Sequence, residues 1–264
     1  MLIKKYLDSA RRPKKQLGQH FLTNPAYIAK IADTAQIARD TPVIEIGPGA
    51  ASLTEELLRR TERLKVIEFD RDAARFIEEN FPNLDIIASD VLKTDLSAIF
   101  GEKAVIVGNL PYNISVKILE HCTNHIAAFS RLVFMFQSEA ADRIIANAGS
   151  KTYSSLSVYA AYYYAVRRIC RIGGGNFFPK TRVSSSVLEF VPHPSRLLPS
   201  GQESGFFAFV RDCFKQKRKT LKNNVAYAAA NFKALSLPDN IRAEQLTLSD
   251  FAKLYLMTAY QTKL

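Results

Sequence analysis

The segment Asn109-Leu110-Pro111-Tyr112 closes the apolar run Ala104-Val105-Ile106-Val107-Gly108. A side-chain amide, a proline with no N–H and an aromatic ring leave the end of a buried strand together, a set suited to holding a flat, amine-bearing group. In open α/β sheets ligands bind in the crevice beyond the carboxyl ends of the strands, and three earlier strand ends are polar too. Residues 41–46 run into Gly47-Pro48-Gly49, residues 64–67 into Glu68, and residues 84–88 into Ser89-Asp90. Glu68 follows the glycine turn by about 20 residues, the spacing at which a carboxylate accepts from both ribose hydroxyls. Asp90, across the crevice, could accept from the amine of an adenine ring. Glycine turn, acid, acid and amide form an adenosine-shaped set.

The elements that must position this set alternate. Strands are expected over 41–46, 64–67, 84–88, 104–107, 130–136, 167–172 and 186–191, and helices over 25–35, 52–60, 71–80, 114–121, 137–146 and 154–164. This alternation gives an α/β fold. Ser52 reads as an N-cap with Glu55 completing a capping box, Asp70 as the cap of the next helix, and Asp95 as a local cap. The dinucleotide fingerprint fails, because Ser52 stands where its third glycine belongs, and no Gly-Lys-Ser/Thr marks a phosphate loop. Met135 and the tyrosines of 154–164 read as packing.

Two later segments carry further signals. In Gly173-Gly174-Gly175-Asn176-Phe177-Phe178-Pro179-Lys180, glycines permit close approach or motion. An exposed phenylalanine there would give a face for base stacking; the same rings could equally anchor the loop. Pro192-His193-Pro194 and Pro199-Ser200-Gly201 mark a linker. Beyond it, 205–227 reads as an amphipathic helix with Phe207, Val210, Phe214, Leu221 and Val225 on one face. Arg211, Lys215, Lys219 and Lys222 form an adjoining strip, with Lys217 and Arg218 nearby, so a docked helix still offers charge to phosphates. Helices over 238–244 and 248–260 follow.

Composition agrees with a polyanionic partner. The 264 residues carry a formal charge of +11, and each phosphate neutralised releases condensed counterions. Lys4, Lys5, Arg11, Arg12, Lys14 and Lys15 stand against a single acid, Asp8, in the first nineteen residues, which read as a mobile, phosphate-contacting arm. Cys122, Cys170 and Cys213 suit free thiols in a reducing compartment. His20 has no second ligand at metal spacing, so no metal is expected. No apolar run approaches the roughly 20 residues that span a bilayer, and no apolar signal core follows the start, so the expected location is cytoplasmic.

With these elements placed, the chain resembles the ribosomal RNA adenine N6-dimethyltransferases of the small subunit. The matching pieces are Leu17-Gly18-Gln19-His20-Phe21-Leu22, Glu45-Ile46-Gly47-Pro48-Gly49, Ile67-Glu68-Phe69-Asp70-Arg71, Ser89-Asp90, Gly108 to Ser115, Phe177-Phe178-Pro179 and Lys217-Arg218-Lys219-Thr220-Leu221. The resemblance implies a Rossmann-like class I methyltransferase domain that uses S-adenosylmethionine, with a small all-helical C-terminal domain. It divides the chain into a basic arm and cofactor lid (1–24), the methyltransferase domain (25–192) and a helical RNA-binding domain (193–264). Carried over, His20, Leu22 and Gly47 line the methionine side of the cofactor, Glu68 takes the ribose, Asp90 the adenine amine, and Asn109 lies between cofactor and target. Leu110 and Pro111 complete the catalytic turn, and Tyr112 and Phe177 sandwich the target adenine. Lys14, Lys15 and the six basic residues from Arg211 to Lys222 are the RNA contacts. The implied partner is small-subunit rRNA in an assembling subunit, met by a monomer away from membranes. The chain departs from the family at His20, Thr181 and Ser184, where asparagine, proline and aspartate are usual.

Rival readings share only parts of this set. A large-subunit rRNA adenine methyltransferase is the nearest, and the Leu17-Gly18-Gln19 start favours the small subunit. DNA-adenine and protein-amide methyltransferases could share the Asn-x-Pro-Tyr turn, but not the arm and C-terminal helix. A ribosome-assembly or nucleic-acid-binding factor is the alternative from a different class.

Overall fold

The structure is a computed structural model that describes residues 2–261, with the side chains of 259–261 outside that description. Met1, at the start of the expected arm, and residues 262–264 of the expected C-terminal domain lie outside it as well. The chain forms two compact units, Met1–Ala141 with Arg167–Pro192, and Asp142–Val166 with His193–Leu264. The linear division at 192 therefore differs from the folded one: residues from Asp142 to Val166 group with the C-terminal segment.

In the first unit α1 (Leu2–Asp8) precedes β1 (Phe21–Leu22), α2 (Pro25–Thr34), β2 (Val43–Ile46), α3 (Ser52–Leu58), β3 (Leu64–Ile67), α4 (Arg71–Asn80) and β4 (Asp85–Ile87). There follow β5 (Ala104–Asn109), α5 (Ser115–Asn124), β6 (Phe129–Gln137) and α6 (Ser138–Ile144), and beyond α7 (Ser155–Tyr163) come β7 (Tyr164–Ile172), β8 (Phe177–Phe178) and β9 (Ser185–Pro192). Seven strands form one sheet in the order β4-β3-β2-β5-β6-β9-β7. The pairs from β4 to β6 are parallel and β9 runs antiparallel to β6. The chain builds outward from β2 to β4, then returns to place β5 on the other side of β2. That reversal is the topological switch point, where such sheets bind ligands, and β2 and β5 deliver Gly47 and Asn109 to it.

Strand alternation fills the core. Val43, Val66, Val105, Val107, Val133, Met135 and Val187 share one cluster with Ile28, Ile31, Leu53, Leu57, Phe76 and Ile77 from α2, α3 and α4. Asn24 caps α2 and Asp70 caps α4, each accepting from the N–H two residues on at 3.0 Å. Asp95 likewise takes the Ser97 N–H. At α3 the expected capping box is absent. Ala51, at φ 59°, is the N-cap, the Ser52 hydroxyl is buried without a hydrogen-bond partner among the described residues, and Glu55 pairs outward with Arg59. Ser52 stands one residue too late, already inside the first turn.

The N-terminal arm is docked. Ile3 and Tyr6 are buried, with Tyr6 edge-on to Phe21 and Phe76. Lys14 Nζ lies 2.5 Å from Asp70 and 2.7 Å from Asp72, and Gln19 donates to Asp70 at 2.9 Å. Against the upward pull of burial, these donors hold the Asp70 carboxyl below its usual range. Lys14 is thus an internal anchor and not a free phosphate contact, whereas Lys15 is exposed.

The second unit is helical: α7 with α8 (Glu203–Cys213), α9 (Leu221–Asn224) and α10 (Leu248–Gln261), joined by short 3-10 turns. The single helix expected over 205–227 is broken. It stops at Cys213, whose carbonyl accepts from Asn224 Nδ2 at 2.8 Å, and the crowded cations of 215–219 oppose its continuation. Phe207, Val210, Leu221 and Val225 are nevertheless all buried in one cluster. Within 238–244 only the start of a 3-10 turn, Ala243–Gln245, forms.

Candidate active site

Four strand ends meet at one cavity of about 280 Å³, lined by Gly47, Glu68, Asp90 and Asn109 together with Gly18, His20 and Phe21. Gly47 and Gly49 have φ of 66° and 56°, conformations open to glycine. A Cβ on Gly49 would lie 2.6 Å from the Phe21 ring, so this ring packs directly on the turn. Leu110, Pro111 and Tyr112 also line the cavity.

Glu68 is buried and bonded through both oxygens. Oε2 accepts from the Gly49 N–H at 3.0 Å and Oε1 from the Asp70 N–H at 2.8 Å. Burial pushes its carboxyl up from the ordinary value, opposed by these backbone donors. A carboxylate has about four lone-pair sites, so both oxygens keep capacity for ribose hydroxyls. Asp90 Oδ1 accepts from the Leu92 N–H at 3.0 Å, which fixes the carboxylate at the cavity edge. Ile67, Phe69, Val91 and Leu92 supply apolar walls; Phe69 is 63% exposed. Flat apolar walls flanked by two fixed carboxylates fit the adenosine of S-adenosylmethionine.

Asn109 is oriented by the lid. Its Nδ2 donates to the His20 carbonyl at 2.8 Å, which turns Oδ1 away as an acceptor. Tyr112 Oη shares a 2.7 Å hydrogen bond with Ser185 Oγ, and the Tyr112 ring lies beside that of His20. Burial raises the Tyr112 hydroxyl pKa, so it stays protonated.

Two expected residues stand elsewhere. Phe177 is 2% exposed, packs in the same cluster as Phe21 and Leu22, and does not line the cavity. The cause is the pairing of β8 with β1, which sets Phe177 opposite Leu22 and Phe178 opposite Phe21. Phe178 is the exposed ring, at 39%. Leu22 is buried in that cluster as well; Phe21 lines the cavity in its place. The glycine loop serves anchoring. A Cβ on Gly174 would lie 1.8 Å from the Thr181 carbonyl oxygen. The Asn176 carbonyl accepts from both N–H and hydroxyl of Thr23 at 2.9 Å. Phe21, Gly49 and Ser185 are the site residues sequence reasoning missed. Gly49 was legible as half of a turn; Ser185 carries no local signal.

A family model described as ribosomal RNA adenine dimethylase matches residues 10–259. The chain belongs to the ribosomal RNA adenine dimethylase family. Among relatives, the ribosomal RNA small subunit methyltransferase A of Xanthomonas euvesicatoria is 41% identical over 247 residues, covering 91% of this chain and 94% of that protein. The Acidithiobacillus ferrooxidans protein of the same name is 36% identical over 256 residues, covering 95% and 96%. A crystal structure of a dimethyladenosine transferase from Plasmodium falciparum superposes with a TM-score of 0.80 at 27% identity, covering 92% of this chain and 98% of that one. The dimethylase family is S-adenosylmethionine-dependent and its fold is the Rossmann-like class I methyltransferase fold.

In this dimethylase, Glu45 adds a titrating group beneath the glycine turn. It is fully buried, and one of its oxygens has no hydrogen-bond partner among the described residues. Burial, reinforced by the Glu68 charge and opposed by Thr54, pushes its carboxyl from 4.5 to about 8. Because the folded state holds this proton where the unfolded chain has lost it, stability falls as pH rises between those values and levels off above about 8. The slope from this group is on the order of 1 kcal/mol per pH unit. Glu45→Gln, which cannot ionise, is expected to flatten this fall, and melting temperatures of both proteins from pH 5 to 9 measure it. Parallel curves would show that Glu45 is ionised throughout.

Proposed function

We propose that this chain dimethylates the N6 amines of adjacent adenines in small-subunit ribosomal RNA, acting on an assembling subunit as a cytoplasmic monomer. The observation that carries the reading is the orientation of Asn109. With Nδ2 engaged by the His20 carbonyl, its Oδ1 is set to accept from an amine beyond β5.

When bound, S-adenosylmethionine supplies an electrophilic methyl group. Glu68 and Asp90 would hold its adenosine, and the segment from Gly18 to Phe21 would hold its methionine side. The exocyclic nitrogen of adenine is a poor nucleophile, since its lone pair is delocalised into the ring. Asn109 Oδ1 and the Leu110 carbonyl accept its two hydrogens and turn the lone pair out of the ring plane. Pro111 has no N–H and stiffens the turn. No strong base is required at the site, because the ammonium-like product loses its proton to water. Positioning therefore dominates, and aligned reacting groups gain roughly 7–11 kcal/mol. Unstacking the target costs on the order of a few kcal/mol, offset by stacking on Tyr112.

The names of the relatives favour the small subunit over the large one. The free thiols Cys122, Cys170 and Cys213 suit a reducing compartment. Lys15 and the exposed Arg211, Lys215, Lys217, Arg218, Lys219 and Lys222 are the proposed phosphate contacts. Reversing Lys215, Lys219 and Lys222 to glutamate is expected to weaken RNA binding and flatten its salt dependence, by about 0.7–0.9 in log–log slope per lost contact. An unchanged slope removes this segment from the interface. The deciding experiment mixes purified protein, labelled S-adenosylmethionine and unmethylated small subunits, then maps the modified nucleotides. Binding without transferred label would favour an assembly factor.

A further inference from the structure

Asp90 stands at a weakly supported end of the sheet. It follows β4, the three-residue edge strand beside β3, and opens a single 3-10 turn, Val91–Lys93. Turns of this kind are short and have poor hydrogen-bond geometry, so a carboxylate at their head needs holding from elsewhere. A chain of hydrogen bonds supplies the hold. Thr94, directly after the turn, donates through Oγ1 to the Asp90 carbonyl oxygen at 3.0 Å. The Thr94 carbonyl oxygen in turn lies 2.9 Å from His121 Nε2. A carbonyl oxygen can only accept, so this nitrogen carries a hydrogen in either charge state of the ring. His121 is in the last turn of α5, three residues beyond Ile118, and residues three apart are neighbours on a helix surface. Ile118 lines the cavity together with Asp90, Val91 and Leu92. One side of α5 therefore both walls the cavity and ties down the turn that carries Asp90.

We propose that His121 is a positioning residue for the cofactor's adenine: through Thr94 it fixes the backbone at Asp90, and with it the carboxylate offered to the N6 amine. This assignment rests on the reading that Asp90 accepts that amine. Asp90 Oδ1 is already engaged by the Leu92 N–H at 3.0 Å, so the rotation of the carboxylate is set by the turn's own backbone. A shift of that backbone moves the acceptor with it. The neighbouring His125 contacts Asp95, with Nδ1 3.4 Å from Oδ1. Its ring stands edge-on to that of His121, centroids 5.0 Å apart. The two imidazoles hold successive residues, and the His121 tie is the one that leads to Asp90.

The test is calorimetry of S-adenosylhomocysteine and of S-inosylhomocysteine, in which an oxo group replaces the N6 amine. The ratio of the two affinities reads the amine contact, whereas a general loosening weakens both ligands alike. The unaltered protein is expected to prefer the amine roughly 10- to 100-fold, the size of one hydrogen bond to a charged group. Asp90→Ala is expected to abolish most of this preference; if it does not, the adenine assignment of Asp90 itself fails. Given that loss, His121→Ala should lower the ratio about fivefold, as for one neutral hydrogen bond removed. His121→Gln, whose amide returns a donor to the place of Nε2, should recover most of it. Thr94→Val removes the next link and should match His121→Ala, and the double variant should be no worse than either. If His121→Ala does not fold, Thr94→Val decides. His125→Phe, which keeps a ring against His121 and loses the Asp95 contact, should leave the ratio unchanged. An unchanged ratio in His121→Ala or Thr94→Val, beside a lowered one in Asp90→Ala, overturns the positioning role. So does an equal loss for both ligands, or a drop of the same size in His125→Phe.

Discussion

Asn109→Ala lowers kcat by roughly 10²–10³-fold while leaving S-adenosylmethionine affinity within about threefold, the size expected for losing one preorganised polar partner of the reacting group. The substitution removes Oδ1, one of the two acceptors proposed to turn the adenine lone pair outward, and releases the His20 carbonyl. Asn109→Asp separates these effects. It keeps an oxygen toward the amine but sets its second oxygen against the His20 carbonyl, where Nδ2 now donates at 2.8 Å. Its single-turnover rate should therefore fall between those of the alanine variant and the unaltered protein, with a loosened lid. Near-normal single-turnover rates for Asn109→Ala would refute the positioning role.

Glu68→Gln raises the Kd for S-adenosylmethionine by roughly 10- to 100-fold, the range for a charge-assisted hydrogen bond of about 1.5–3 kcal/mol. Both carboxylate oxygens already accept backbone N–H groups, from Gly49 and Asp70. A glutamine has one oxygen to offer, and its NH₂ must then face the other backbone donor, so the glycine turn is disturbed along with the proposed ribose contact. Calorimetry measures the loss, and kcat at saturating cofactor should change far less. The unaltered protein should show a related pH effect. Burial raises the Glu68 carboxyl, so on acidification affinity begins to fall above the ordinary glutamate range. An unchanged Kd in Glu68→Gln would remove this residue from the ribose.

The strand-end chemistry was legible in the sequence because it is local. An apolar run followed by Gly47, Glu68, Asp90 or Asn109 places each group at a carboxyl end, and parallel pairing then aligns the ends. Caps at Asp70 and Asp95 were legible for the same reason. What escaped depends on partners distant in sequence. Phe177 is turned inward by its register with Leu22. Lys14 is taken from the RNA contacts by Asp70 and Asp72. The helix expected over 205–227 ends early because Asn224 takes the Cys213 carbonyl. Periodicity chose the correct buried residues there without the break. The N-cap at α3 failed by one residue, since a left-handed Ala51 is not signalled by its side chain.

The two-residue ladder between β1 and β8 joins Phe21 to Phe178 and Leu22 to Phe177. While the protein is being synthesised, β2 to β5 have left the ribosome long before residue 178 exists. Closing so long a loop is entropically unfavourable until the later partner is in place. The sheet that carries the acids can thus form early, whereas the lid carrying His20 waits for the end of the first unit. A nascent chain accordingly has Glu68 and Asp90 at their strand ends before the ladder between β1 and β8 can form.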